Sequence, residues 1–456
     1  MMRTLYFAIF TLCCVAIHAA DFVGYWKGEV MNLPIVFHIT NHDGQYRATL
    51  SSPTQGAIDI ACDKTLISAD SISIEIASLG MRYDGVMQAD GKAISGTFVQ
   101  GMALSLTLTP ATAHDAAIIR PQDPKPPFIY NAREVTFANG DITLAATLTT
   151  PAPLFGSSSP AVVLVTGSGA QNRDEEIMGH RPFAVIADFL TRSGIAVLRY
   201  DDRGVGGSSQ GKPTDTSLDF ATDAMAAVKF LKSQPGINPA AVGILGHSEG
   251  GSIALITAAS MPDDIAFAIS LAGVAVKGRD AMIEQNHMIA RASGRELTAD
   301  IPQAVNDMFW AIDTITDNDA LGTKIREIMT KAAMHNSCQI DQSVAVMTSP
   351  WYSAFIRLDM TKYLPLIKCP VLALNGKWDI QVSAEQNLNA IKQAIPTAQT
   401  VEYPRLNHMF QESASLSQSL SYGSIQQTIS PTVLSDIANF IITTSKKIKS
   451  TPQNTH

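Results

Sequence analysis

Cysteine is scarce in this chain of 456 residues: there are five, and two of them, Cys13 and Cys14, fall in an N-terminal apolar run. The remaining three, Cys62, Cys338 and Cys369, can close at most one disulfide and match no zinc-ligand spacing. Neither a disulfide framework nor a cysteine-built metal centre is therefore expected, and Cys369, just before an apolar strand, is expected as a buried small hydrophobe. Charge is sparse as well, at 16% of residues with a net charge of −8, and the only lysine cluster, Lys446-Lys447 with Lys449, lies in a polar tail. That distribution argues against nucleic acid as the main partner. Beyond the N-terminus no apolar run reaches the length of a bilayer span, and no internal repeat is visible. What is abundant is ordinary core-forming residue: 46% hydrophobic over this length supports two or more globular domains.

The first residues, Met1-Met2-Arg3 followed by an apolar run from Leu5 to Ile17 and then His18-Ala19-Ala20, have the layout of a secretory signal peptide over 1–20. A secreted or periplasmic location is the expectation. Lipid anchoring through Cys13 or Cys14 is disfavoured because Thr-Leu precedes the first of them where a small residue belongs. From 21 to 110 the chain shows short alternating segments such as "LPIVFHIT", "SISIEI" and "LSLTLT", punctuated by Asp43-Gly44, Asp84-Gly85 and Asp90-Gly91. Each of these dipeptides is of hairpin type, so the segment is expected as a small all-β barrel or sandwich. Its Trp26, Phe37 and Phe98 are expected in the core rather than in a ligand groove.

Residues 111–127 are proline-rich and aperiodic, an extended linker, and a hairpin turning at Asn139-Gly140 opens the second domain, 128–445. Apolar strands "AVVLVTG", "IAVLRYD", "AVGILGH", "IAFAISLAG" and "PVLALNG" then alternate with helix-compatible stretches. The fold class is α/β, with a mostly parallel sheet covered on both faces. Helix-like segments over about 277–366 interrupt the alternation and are expected to form a cap over the strand ends, where functional groups gather; 446–456 is a polar tail.

The pattern G-x-S-x-G occurs twice, at Gly207–Gly211 and Gly246–Gly250. In the first, Ser208 and Ser209 sit in a polar glycine-rich loop with no strand leading into it. Ser248 follows a five-residue apolar strand and directly precedes a helix, the strand-turn-helix context of a nucleophile elbow. A serine hydroxyl needs a base, and the base needs a carboxylate to hold its tautomer. In the chain order Ser, acid, His, the histidine is His408 in "YPRLNHMFQ" rather than the terminal His456, and the acid is Asp379, where "CPVLALNGKWD" runs into a loop, with Asp359 as runner-up. The oxyanion would be met by the backbone N–H of Glu249 and by Ser168 or Gly169 in the loop Thr166–Ala170. That loop carries neither a dinucleotide nor a P-loop signature, and no cofactor or metal is implied.

Together "GHSEGG", "LNGKWD" and "LNHMF" resemble the triad segments of the α/β-hydrolase superfamily, and "YDDRGVGGS" resembles the loop after its fourth strand. In finer detail "VTGSGAQNRDE", "RYDDRGVGGS" and "GHSEGG" are similar to a secreted bacterial carboxylesterase branch related to serine aminopeptidase-like hydrolases, whose members carry a β-rich module in front. The resemblance implies nucleophile Ser248, acid Asp379 and base His408, hence a serine hydrolase acting on small-molecule or glycan-linked esters. The absence of an HGGG-type motif, Thr166-Gly167-Ser168-Gly169 standing in its place, weakens a lipase assignment. Two alternatives stay open: an amide-cleaving peptidase in which "RDEE" or Glu249 receives a substrate amine, and a non-catalytic protein that binds through its β module. The more economical account of the "RDEE" charges is pairing with Arg173 or Arg203. An aspartate-dependent dehalogenase is excluded by the serine at the elbow.

Overall fold

A computed structural model describes residues 21–31, 33–152, 158–294, 300–332 and 337–450. The expected signal segment, with Cys13 and Cys14, and the terminal His456 lie outside the described residues. The chain divides into two compact units, Met1–Ile119 and Arg120–His456.

In the first unit the strands β1 (Gly24–Val30), β2 (Leu33–His42), β3 (Gln45–Ser52), β4 (Ala57–Ala61), β5 (Lys64–Ser68), β6 (Ser71–Ile76), β7 (Met81–Met87), β8 (Ile94–Gln100) and β9 (Met102–Ala111) are followed by a single helical turn, α1 (Ala113–Ala116). They form one antiparallel half-barrel in the order β4-β3-β2-β1-β9-β8-β7-β6-β5. The alternation visible in the sequence sets its inside: Ile72, Ile74 and Ile76 of β6 are buried while their neighbours are not. Trp26, Phe37 and Phe98 are all buried, with the Phe37 ring stacked on Tyr83 at 5.8 Å. Asp43 and Gly44 both take positive φ in the β2–β3 hairpin, and Gly91 does so between β7 and β8. Asp84-Gly85 departs from expectation. It lies inside β7, with Asp84 opposite Thr97 and Gly85 opposite Gly96 of β8. A side chain at Gly96 would run into the Asp84 carbonyl, so this glycine pair serves close strand contact, which the dipeptide alone does not distinguish from a turn.

The proline-rich stretch is anchored from Arg120 onward. The buried Arg120 guanidinium donates to the carbonyls of Met178, Gly423 and Ile425 at 2.8–3.0 Å, and Gln122 bonds the backbone of Thr428 and Ile429. Local composition indicates extended backbone; it carries no information about these distant carbonyls.

The second unit contains the strands β10 (Asn131–Asn139), β11 (Ile142–Thr150), β12 (Ser159–Val165), β13 (Ala196–Tyr200), β14 (Ile237–His247), β15 (Ala268–Leu271), β16 (Val371–Gly376) and β17 (Gln399–Tyr403). Its sheet has the order β10-β11-β13-β12-β14-β15-β16-β17. The β10–β11 hairpin joins β13 antiparallel, and every later pairing is parallel. Connecting helices are α2 (Pro182–Arg192), α3 (Ser217–Lys232) and α4 (Glu249–Ser260). Five more, α5 (Gly278–Ala292), α6 (Asp300–Thr314), α7 (Asn318–Lys331), α8 (Ser337–Met347) and α9 (Pro350–Arg357), stand between β15 and β16 with their own core around Phe309, Ile312, Leu321 and Ile356. The chain continues through α10 (Ala384–Ala394) to α11 (Pro431–Ser450), a helix that includes the first part of the segment expected as a tail.

Burial on both faces explains why the central strands read as continuous apolar runs. In β12, Val163 and Val165 face the cluster that includes Val228 and Ile253, whereas Val162 and Leu164 face Phe183 and Ile437. Each such side chain stabilises the sheet by roughly 1.5–3 kcal/mol relative to exposure. Cys62, Cys338 and Cys369 are free thiols, the last of them buried. Among the described residues no helix is long and apolar enough to cross a membrane.

Candidate active site

The sharp turn from β14 into α4 is made at Ser248, whose φ of 55° and ψ of −122° are a strained combination for a residue with a side chain. Glycines make the turn sterically possible. A Cβ at Gly246 would collide with the Gly250 carbonyl, and one at Gly250 with the carbonyls of Val165 and Thr166. Ser248 N–H donates to the Leu271 carbonyl at 2.9 Å, tying the elbow to the neighbouring strand. The hydroxyl thus stands at the N-terminus of α4, where the first N–H groups, that of Glu249 among them, have no partner within the helix and the helix dipole favours negative charge.

His408 and Asp379 meet from separate loops. Asp379, 2% exposed, receives the N–H groups of Gln381 and Val382 on Oδ1 at 2.8 and 2.9 Å, and its Oδ2 lies 2.8 Å from His408 Nδ1. A carboxylate only accepts, so Nδ1 is the donor and Nε2 is left as the basic nitrogen of the neutral ring. The His408 turn is closed by Asn407, whose Oδ1 accepts from the N–H groups of Met409 and Gln411 at 3.0 and 2.9 Å. His408 and Ser248 both line one cavity of about 290 Å³, with Asp379 behind the imidazole. Asp359 is elsewhere, turning its own loop through Thr361.

The loop after β12 passes close to the elbow: a Cβ at Gly167 would stand 3.2 Å from that of Ser248. Ser168 lines the same cavity as Ser248 and His408. Gly169, with φ of 94°, is not brought there; it lines a neighbouring cavity with Thr166 and Ala170. Asp202 holds this loop, accepting from Thr166 Oγ1 and Gln171 N–H at 2.9 Å. Burial is the main reason its carboxyl is pushed up to about 7; those hydrogen bonds oppose the shift, and the charges of Glu175 and Glu249 add to it.

The side-chain partners of two carboxylates around Ser248 escape sequence reasoning. Glu249 is almost fully buried, its Oε1 accepting from Ser217 Oγ at 2.5 Å and from the Trp351 indole N–H at 3.0 Å, so its carboxylate ties the start of α3 to cap helix α9. Glu175 does not pair with arginine. Arg173 is engaged by Asp201 and Glu134, and Arg203 by Asp215 and Asp223. Instead Glu175 Oε1 accepts from Gly167 N–H at 2.8 Å and stands 3.0 Å from His247 Nδ1, while His247 Nε2 lies 2.9 Å from the His408 carbonyl. A carbonyl can only accept, so Nε2 donates. Burial alone would lower the His247 pKa; the Glu175 charge and hydrogen bond, helped by the His408 carbonyl and Asp379, reverse this, and the net shift is upward. The pair therefore links the loop after β12, the elbow and the His408 loop. The only signal in the sequence is a histidine at the last position of an apolar strand. Ser208 has a structural role, its hydroxyl donating to the Asp201 carbonyl and accepting from Ala145 N–H, and so does Ser209, which holds the serine position of that pattern and accepts from Thr143 N–H at 3.0 Å.

A mostly parallel sheet with a strand-turn-helix elbow at the carboxyl end of a central strand, and a helical insertion after the next strand, defines an α/β hydrolase. The model of the family described as serine aminopeptidase, S33 (Hydrolase_4) matches residues 180–412, just over half of the chain, and the chain belongs to that family. Among curated proteins it is 38% identical over 94 residues to the esterase EstD of Thermotoga maritima, covering 21% of this chain and 22% of that protein. It is 33% identical over 107 residues to an uncharacterised protein of Mycobacterium tuberculosis, covering 24% and 34%. The chain thus spans about a third or less of the length of these relatives. Among solved structures, Est1E of Butyrivibrio proteoclasticus with ferulic acid bound is similar over 68% of this chain and 99% of its own, at 19% identity and a TM-score of 0.43.

Proposed function

We propose that the protein is an exported serine hydrolase that cleaves carboxylic esters through an acyl-enzyme. The observation that carries this is the buried Asp379–His408 pair at 2.8 Å, opening on the same cavity as a serine on a strained elbow at a helix N-terminus. In this mechanism His408 Nε2 takes the Ser248 proton as Oγ attacks the ester carbonyl, and Asp379 stabilises the imidazolium. The N–H groups of Glu249 and Ser168 receive the oxyanion, the alcohol leaves with the proton from His408, and water activated by the same nitrogen releases the acid. Ester rather than amide chemistry is supported by the esterase EstD among the relatives and by the Glu249 carboxylate being engaged by Ser217 and Trp351 rather than offered to a substrate amine. Export rests on the charged and apolar layout of residues 1–20.

The test is turnover of p-nitrophenyl acetate and butyrate beside aminoacyl anilides, with fluorophosphonate labelling. Ester turnover exceeding anilide turnover, with both labelling and turnover abolished in Ser248→Ala, is expected. Faster anilide turnover would make the protein a peptidase, and labelling independent of Ser248 would refute the assignment of the nucleophile.

A further inference from the structure

Two cavities lie side by side in the second unit, of about 290 and 180 Å³, and they share three lining residues: Gly167, Glu249 and Trp351. The first holds Ser248 and His408. The second is lined by Val165, Tyr200, Phe220 and Ile253 together with the charged Asp202, Arg203 and Asp223; Asp202 is held by Thr166 and Gln171, and Arg203 is paired with Asp223. Gly167 and Glu249 belong to the backbone that frames Ser248, whereas Trp351 comes from cap helix α9 and is the one large side chain common to both. Its position is doubly determined. The indole N–H donates to Glu249 Oε1 at 3.0 Å, and the ring stacks on Phe355 with centroids 6.1 Å apart and planes at 24°.

We propose that Trp351 is the specificity-determining side chain of this site: in its Glu249-bonded position it confines the substrate to the first cavity, and its removal joins that cavity to the second. The enzyme then favours esters of short acyl groups, and the second cavity is the space in which an aromatic ring carried by a longer acyl chain would be received. A cavity of about 150 Å³ is large enough to take up benzene, so the second cavity, at about 180 Å³, matches an aryl group in size. Its aromatic walls suit ring stacking or edge contacts.

This inference rests on the serine-esterase reading, and the experiment separates the two. kcat/KM is measured for p-nitrophenyl butyrate and p-nitrophenyl 4-phenylbutyrate in the wild type, Trp351→Ala, Trp351→Phe and Trp351→Ala/Phe220→Trp. The ratio of phenylbutyrate to butyrate is expected to rise about tenfold or more in Trp351→Ala, in line with the discrimination that pocket size supplies. It should stay near the wild-type value in Trp351→Phe, which keeps a ring in place, and fall back when Phe220→Trp fills the second cavity. An unchanged ratio in Trp351→Ala, with butyrate still hydrolysed, overturns the proposal. A binding measurement is independent of turnover: 4-phenylbutyrate should raise the Tm of Ser248→Ala/Trp351→Ala more than that of Ser248→Ala, and equal shifts overturn the proposal even where the wild type hydrolyses no ester.

Discussion

Replacing Glu175 by glutamine isolates the pair beneath the candidate active site. In the wild type one carboxylate oxygen serves Gly167 N–H and His247 Nδ1 together, and the Glu175 charge raises the His247 pKa against the effect of burial, which extends the pH range over which both ring nitrogens donate. A glutamine oxygen keeps the geometry and removes the charge. His247, at 7% exposure, then reverts to the neutral ring that burial favours and has a single N–H for two acceptors. Either the His408 carbonyl loses its donor, or the residue 175 oxygen keeps Gly167 N–H alone and faces an unprotonated Nδ1; a buried group left unpaired costs about 1–3 kcal/mol. The folded pKa of His247 is raised, so its contribution to stability is complete below the unfolded value near 6.5 and is lost as pH rises through the folded value. The penalty of Glu175→Gln is therefore expected to be greatest at about pH 6 and to shrink above it. Urea unfolding midpoints of both proteins between pH 5.5 and 9.5 measure this. The difference between the two cancels the opposing contributions of other groups, such as His180, whose pKa is lowered to about 4 by burial and the nearby Arg120 charge. In the same variant kcat should fall more than KM changes, because the His408 loop loses its anchor while the cavity keeps its lining. A penalty constant across the pH range would refute the charged state of His247, and no penalty at all would refute the role of the pair.

Asp379→Asn should lower kcat by about 10⁴ with a much smaller effect on KM, since an amide favours the wrong His408 tautomer; stopped-flow acylation of Ser248 reads this directly, and a loss below tenfold would remove Asp379 from the mechanism. Asp202→Asn should raise stability at pH 8.5 by about 1 kcal/mol or more and matter less at pH 5.5. The sign follows from a folded pKa pushed up to about 7, which makes the wild type lose stability as pH rises from the ordinary carboxylate range through that value. Equal midpoints at both pH values would contradict it. Arg203→Met leaves the buried carboxylates of Asp215 and Asp223 without their cation and should cost about 3–5 kcal/mol by thermal or urea unfolding, against well under 1 kcal/mol for a surface change such as Lys368→Met.

Much of this fold is legible because its signals are local. Period-two alternation in β6, continuous apolar runs in β12 and β14, and the insertion between β15 and β16 each follow from which side chains one short segment must bury. The same holds for the elbow, where strand, glycine, serine and helix are contiguous, and for the order of Ser248, Asp379 and His408 along the chain. Asp84-Gly85 shows where local signals fail, since a dipeptide suited to a turn also suits a strand whose partner presents Gly96.

By itself the sequence determined the order of elements and the candidate residues at strand ends, because backbone propensity and side-chain burial act over a few positions. The tertiary structure alone decided which polar atoms meet. It put Ser168 rather than Gly169 in the cavity with Ser248, joined Glu175 to His247 across 72 positions, and engaged the Glu249 carboxylate with Trp351 across 102. Hydrogen bonds and ion pairs are set by distances of about 3 Å between atoms far apart in the chain, and no short stretch of residues encodes that proximity.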